Sequence, residues 1–189
     1  MSSPLTKEHT EQLAAALERV GAIRKATRLA TGSGWMLGIS AAITAAFAAG
    51  SPTALVLMLA LGGLSWNEFR GRNLLLAFDE KGADILWKNQ IGLMAVLVVY
   101  CLLAIRSAGS GEVDPAMAEL AVLAPDLVDL MTSLTMMVLQ GVILLTVVLQ
   151  GAMARFYHTR IALIRTFHAS TPPWAAEVVL MMSSPAPKD

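Results

Sequence analysis

The sequence predicts an all-α, polytopic integral membrane protein with four transmembrane helices and both termini in the cytoplasm. Of its 189 residues, 56% are hydrophobic and only 15% are charged, and the mean hydropathy is +0.61. A soluble domain carries about a quarter charged residues. Four apolar stretches approach or reach the ~20 residues that a helix needs to cross the hydrocarbon core, and none alternates like a barrel strand. These stretches are Gly32–Gly50, Thr53–Leu64, Ile91–Ile105 and Leu134–Ala154.

The distribution of lysine and arginine predicts the orientation. Four spans place both termini and the loop between the second and third spans on one side, which then holds 13 of the 14 basic residues. The opposite side holds Arg106 and five carboxylates, mostly in an outer loop at 107–132. Cytoplasmic loops are enriched in Lys and Arg, so we expect both termini in the cytoplasm. The pattern is typical of a multi-pass protein of a bacterial inner (cytoplasmic) membrane.

Residues 1–30 are expected to form a cytoplasmic amphipathic helix. They are not a signal peptide, because charges occur throughout and no apolar core is present. Leu13, Leu17, Val20 and Ile23 recur every three or four residues and therefore share one helix face. Two partners remain open for this face: the membrane surface with its anionic headgroups, or other cytoplasmic helices.

The first span, at about 31–50, carries a small residue at every fourth position. Such a ridge lets helix backbones approach closely, which is how helices associate in lipid. The partner is either another span of this chain or another subunit, and the alternative is that Gly and Ala are simply common in membrane helices. The predicted packing ridge consists of Gly34, Gly38, Ala42, Ala46 and Gly50.

The remaining spans of the 31–154 transmembrane domain are predicted at about 53–74, 85–106 and 133–154. A turn at Asp79–Gly82 separates the second and third spans, with Gly82 in the left-handed conformation. The outer loop includes a short helix at 115–123. Pro125 suits the first turn of the last long helix, because its missing N–H is not needed there.

Residues 155–189 form a cytoplasmic helix extension and tail. Together with segments 10–28 and 69–78, the extension is expected to build a small cytoplasmic helical layer. The segment 171–182 begins like a helix and is apolar, so it lies either on the membrane or on that layer.

Three tryptophans lie near the cytoplasmic ends of the first three spans. Trp35, Trp66 and Trp87 are each close to the point where an apolar stretch meets charged residues. Indole rings favour the headgroup region. The three residues therefore predict an interfacial belt, and the alternative is three unrelated core side chains.

A layer of polar residues is predicted just inside the cytoplasmic boundary. The Asp79–Gly82 turn would place residue i of the second span level with residue 161 − i of the third, and the 50–52 turn would pair i with 102 − i. With the boundary at Trp87, Glu68 then lies six residues, or ~9 Å, inside it. We therefore expect Glu68 to be paired, protonated or in contact with water. Arg72, one turn away and able to snorkel outward, is the expected partner if Glu68 is paired. The predicted polar layer comprises Ser33, Asn67, Glu68, Arg72, Asn89, Gln90 and Gln150.

The sequence contains none of the motifs that carry reaction chemistry. It has no HExxH, CxxC or glycine-rich phosphate loop, and it gives no reason to expect a cofactor, a metal or a nucleic-acid partner. We therefore expect a non-enzymatic structural or accessory subunit, with the lipid bilayer and other membrane subunits or further copies of itself as partners. The alternative is a small oligomeric transporter or channel with a polar cytoplasmic vestibule around Glu68 and Gln150. A third, weaker alternative is a lipid-acting enzyme using Glu68 and His158.

Overall fold

The computed structural model describes residues 6–49, 51–110 and 122–183, and these residues are arranged entirely as helices and short connections. The all-α prediction is therefore confirmed. Most of the short helix predicted at 115–123, together with Gly50 and the last six residues, lies outside the described residues. The helices are α1 (Lys7–Phe47), α2 (Pro52–Leu76), α3 (Glu80–Gly109), α4 (Pro125–Ser170) and α5 (Pro173–Ser183).

Side-chain caps and prolines determine where the helices begin. Thr6, Ser51 and Asp79 each accept a hydrogen bond from a backbone N–H in the first turn of α1, α2 and α3. Pro52 and Pro125 occupy the first turns of α2 and α4, as expected for Pro125. The amphipathic segment and the first span are thus one continuous helix, α1.

Three of the described helices are long and apolar enough to cross a membrane: α1, α3 and α4. Helix α2 is not among them, although it packs between α1 and α3. Its second half carries Asn67, Glu68, Arg70 and Arg72, which lower its mean hydropathy. The chain is thus a helical bundle with three candidate membrane-spanning helices.

The first four helices pack in chain order, and α1 also meets α4 and α5. A large core lies where the N-terminal half of α1, the α2–α3 turn, the C-terminal half of α4 and α5 come together. These are the segments expected to form the helical layer, and α5 joins it through Val179, with the half-buried Ala176 packed against the same core. The large core comprises Ala16, Val20, Ile23, Ala26, Ala30, Leu75, Phe78, Ala83, Leu86, Tyr157, Ile164, Phe167 and Val179.

A small core joins α1, α2 and α3 further along the bundle, and it draws no residue from α4. Its buried members are Leu37, Ala41, Leu61 and Leu93. Of the residues between 127 and 149 on α4, only Thr146 is buried. The four long helices are therefore closely packed at one end of the bundle, while at the other end most α4 side chains are exposed.

The buried face of α1 differs from the one expected. Val20 and Ile23 are buried, but Leu17 is 41% exposed and Ala16 takes its place in the large core. The positions of α4 and α5 determine which side chains of α1 are buried, because these helices pack against the face formed by residues 16, 20 and 23. A small side chain at Ala16 allows close contact there.

The turn between α2 and α3 is centred at Phe78, four residues before Gly82. Phe78, not Gly82, takes the left-handed conformation, with φ of 57°. The prediction for Gly82 is wrong, since Gly82 already lies inside α3. A non-glycine residue is strained there. Tertiary contacts hold it: the ring of Phe78 stacks on Phe167 at 5.1 Å, and His168 Nε2 donates a 2.9 Å hydrogen bond to its carbonyl.

Gly82 instead serves a close crossing of α2 and α3. A Cβ atom on Gly82 would lie 2.6 Å from the backbone nitrogen of Leu75 and 2.7 Å from the carbonyl oxygen of Gly71. On Gly71 it would lie 2.6 Å from Cγ of Leu86. The two glycines therefore face each other at the tightest backbone contact of the hairpin, a contact not predicted from the sequence.

The predicted small-residue ridge is only partly a packing surface within the chain. Gly34 lies against Glu68 and Phe69, and Gly38 approaches Ser65, while Ala42 and Ala46 are exposed. On a helix of 3.6 residues per turn, each position four residues further on is displaced by about 40° around the helix axis. The ridge therefore turns away from α2, and the contact continues through Leu37 and Ala41.

Candidate functional site: a buried polar layer

Glu68 lies at the centre of a polar cluster between α2 and α3. Its side chain is completely buried, with 0% relative exposure. One carboxyl oxygen, Oε1, accepts hydrogen bonds from Asn89 Nδ2 at 2.8 Å and Gln90 Nε2 at 2.7 Å. Asn89 Nδ2 also donates to the Leu64 carbonyl at 3.0 Å. Thus the structure brings together three of the residues predicted for the layer.

A second polar contact joins α1 to α2 one turn away. Ser65 Oγ donates a 2.8 Å hydrogen bond to the carbonyl of Gly34, and both residues are buried. Glycine at position 34 leaves room for this approach, because a Cβ there would lie 3.3 Å from the Glu68 Cβ. The polar cluster therefore ties α1, α2 and α3 together at one level.

Arg72 is not the partner of Glu68. Its Nη1 donates to Asn73 Oδ1 at 3.1 Å, while its buried Nε has no hydrogen-bond partner. The expected i,i+4 pair is absent among the described residues, where the ion pairs are Lys88–Asp84 and Arg165–Glu80. Two amide groups from α3 occupy the space in front of the Glu68 carboxyl group, and this replaces the pair.

The contacts correct the expected depth of Glu68. Glu68 meets Asn89 and Gln90, and Gly82 meets Leu75, so α2 and α3 pair with a sum near 157 instead of 161. The cause is the turn at Phe78, which precedes the expected turn. Measured from the expected boundary at Trp87, Glu68 now lies about two residues, or ~3 Å, inside it. The α1–α2 pairing of Gly34 with Glu68 follows the predicted sum of 102.

Tyr157, not Gln150, is the α4 residue at the level of Glu68. The ring of Trp87 contacts that of His158 at 5.7 Å, which puts the residues around 157 level with Glu68 and Asn89. Tyr157 is completely buried and lies within electrostatic range of the Glu68 carboxyl group. Gln150 is two turns away on α4 and only half-buried. The span predicted from the sequence ends at Ala154, so Tyr157 falls outside it.

Ser33 and Asn67 lie at the edge of the cluster. Both are half-buried, and neither side chain makes a hydrogen bond with the described residues. Helical geometry explains this, because positions 33 and 67 precede Gly34 and Glu68 and are rotated by about 100° from them. The two residues share the level of the cluster without joining its hydrogen bonds.

The three predicted interfacial tryptophans have different environments. Trp35 is 62% exposed and contacts Phe69 edge-on, and Trp66 is 74% exposed. Trp87 is half-buried and donates a 2.9 Å hydrogen bond from Nε1 to Asp84. Hydrogen bonds from Lys88 and from Trp87 lower the pKa of the Asp84 carboxyl group below its ordinary value.

Several buried polar atoms of the cluster have no hydrogen-bond partner among the described residues. They include Glu68 Oε2, Asn89 Oδ1 and the Tyr157 hydroxyl, and Gln150 Oε1 is a fourth further along α4. Buried acceptors without a donor are costly, at about 1–3 kcal/mol each. The arrangement can hold a proton on Glu68 or one polar small molecule such as water. No group of three or more metal-ligating side chains occurs among the described residues.

Comparison with known proteins finds no match for this chain among protein-family models, curated proteins or solved structures.

Proposed function

We propose that the protein is a non-enzymatic structural or accessory subunit of a membrane protein complex. In this proposal all four long helices cross a bacterial inner membrane, with both termini in the cytoplasm, and the large core forms the cytoplasmic layer. The positive residues near the large core support this orientation. Helix α2 would cross as the inner member of the bundle, where Ser65 and Glu68 make hydrogen bonds to α1 and α3.

The observation that carries the proposal is the exposed outer half of α4. Most apolar side chains between 127 and 149 are exposed, and only one face of the helix, which includes Met136, Leu139 and Ile143, is half-buried. The small core takes no residue from this segment. Gly141 of α4 and the exposed Ala42 and Ala46 of α1 offer places where the backbone of another helix can approach. Close approach at small residues is the usual basis of helix association in lipid.

The proposal is tested by changing Gly141 to leucine. A Cβ at Gly141 meets nothing within 4 Å inside the chain, so the monomer tolerates the change. We expect Gly141→Leu to shift the protein from a larger assembly to the monomer in mild detergent, measured by size-exclusion chromatography with light scattering. Gly32→Leu is the matched control, because its Cβ also meets nothing and it lies on α1 near the large core. A wild-type protein that is monomeric when extracted from its native membrane contradicts the proposal.

The second candidate function is a small oligomeric transporter or channel, with Glu68 and Gln150 on its path. The buried, unpartnered oxygens of Glu68, Asn89 and Gln150 favour it, because a proton or polar solute would satisfy them. Complete burial of Glu68 then requires an opening motion before any solute arrives. Flux in liposomes should fall in Glu68→Gln and Gln150→Leu if this function is correct. Unchanged flux in both variants, with Glu18→Gln as the exposed control, eliminates it.

A further inference from the structure

A groove on the outside of the α2–α3 hairpin combines cations with an apolar wall. Its volume is about 580 Å³. Arg70 from α2 and Lys81 from α3 line it, and both are exposed. Trp66, Phe69 and Ile85 form its apolar side. The groove is separate from the Glu68 cluster, since Glu68 does not line it.

The two cations of the groove are not used by the fold. Neither the Arg70 nor the Lys81 side chain makes a hydrogen bond or an ion pair with the described residues. By contrast, Lys88 and Arg165 are paired with carboxylates. The one carboxylate in the groove, Asp79, accepts a 2.9 Å hydrogen bond from the Lys81 backbone as the cap of α3. The groove therefore carries one net positive charge.

We propose that this groove binds the headgroup phosphate of an anionic phospholipid. Arginine and lysine near a membrane surface attract anionic lipids. The groove's charge matches one phosphodiester without an accompanying ammonium group, which distinguishes phosphatidylglycerol from phosphatidylcholine. Asn73 adds an amide at the groove wall; Arg72 donates to its oxygen, so the amide N–H groups remain available as donors.

The apolar wall indicates a lipid rather than a soluble phosphate. Trp66 is 74% exposed beside the cations, and an indole ring is favoured at the level of headgroups and glycerol. The α2–α3 pairing places Arg70 level with Trp87, the expected boundary of the hydrocarbon core. The inference thus rests on the proposed membrane placement of α2 and α3, but not on the accessory role.

The experiment measures lipid binding to the full-length protein by native mass spectrometry in detergent. Phosphatidylglycerol and phosphatidylcholine with identical acyl chains are titrated separately, and inorganic phosphate is titrated as a third arm. We expect phosphatidylglycerol to bind about tenfold more tightly than phosphatidylcholine, because the two basic residues attract an anionic headgroup more strongly than a zwitterionic one. We expect Arg70→Gln/Lys81→Gln to lose this preference.

The matched control removes the same number of charges elsewhere. Arg28→Gln/Arg155→Gln changes two exposed cations outside the groove, and it should keep the preference for phosphatidylglycerol. Three results overturn the inference: equal binding of the two lipids, equal loss in both double variants, or displacement of the lipid by an equimolar amount of inorganic phosphate.

Failure of the membrane placement gives a different result. A wild-type chain that leaves the membrane fraction on carbonate washing refutes the placement and the lipid site together. A chain that stays in the membrane but does not discriminate between the lipids refutes the lipid site alone. The assembly test with Gly141→Leu is independent of both results.

Discussion

Replacing Gly82 with alanine is expected to destabilise the protein more than any other single methyl addition to its described glycines. The new Cβ would lie 2.6 Å and 2.7 Å from backbone atoms of Leu75 and Gly71, and backbone atoms cannot move aside as a side-chain tip can. The two helices must separate at their closest point, where Leu75 and Leu86 are fully buried. Overpacking of this kind costs about 3 kcal/mol. We expect the thermal midpoint in detergent to fall by roughly 10 °C.

Alanine substitutions at two further glycines give an expected order of stability among the variants. Gly71→Ala meets Cγ of Leu86 at 2.6 Å, a side chain that can shift in part, so its loss should be smaller than that of Gly82→Ala. Gly62→Ala meets nothing within 4 Å and should keep or raise stability, because alanine favours the helix over glycine by ~0.5–1 kcal/mol. Equal midpoints for the Gly82 and Gly62 variants would show that the hairpin does not cross at these glycines.

Local patterns in the sequence predicted the helices well, but not the pairing of α2 with α3. Apolar length and prolines at helix starts act within one segment, so the helices and the first turn of α4 followed from them. The left-handed turn at Phe78 depends on a ring and a histidine from α4. No local sequence pattern predicts those contacts, so Gly82, four residues later, was wrongly predicted as the left-handed residue of the turn. That displacement of one helical turn accounts for the error in depth at Glu68.

The polar cluster was partly predictable for the same reason. Asn89 and Gln90 stood out because amides are rare in apolar helices, and they do contact Glu68. Arg72 was predicted as the partner of Glu68 from the i,i+4 spacing within one helix, but Asn89 and Gln90 of α3 make the hydrogen bonds to Glu68 instead. Tyr157 was missed because its level depends on how α4 packs against Trp87. A phenol at a membrane boundary is itself a recognisable signal, which a boundary set at Ala154 concealed.

Glu68→Ala is expected to destabilise the protein, whereas Glu68→Gln is expected to keep or raise its stability. Alanine leaves a cavity and removes the acceptor for Asn89 Nδ2 and Gln90 Nε2, two buried donors, which costs about 3 kcal/mol or more. Glutamine keeps one oxygen for these donors and replaces the unpartnered Oε2 with an amide nitrogen. Asn89 Oδ1 and the Tyr157 hydroxyl are unpartnered acceptors in the same cluster that a new donor could use. If Glu68 is ionised, glutamine also removes a charge that is costly to bury.

We therefore expect Glu68→Gln to unfold at the same temperature as the wild type or a higher one, while Glu68→Ala unfolds well below it. Thermal unfolding in one detergent, followed by circular dichroism, measures both, and Glu18→Gln on the exposed face of α1 controls for loss of a carboxylate. If glutamine is as damaging as alanine, the negative charge itself holds the cluster together. Glu68 would then be ionised, and the amide contacts of Asn89 and Gln90 would be secondary.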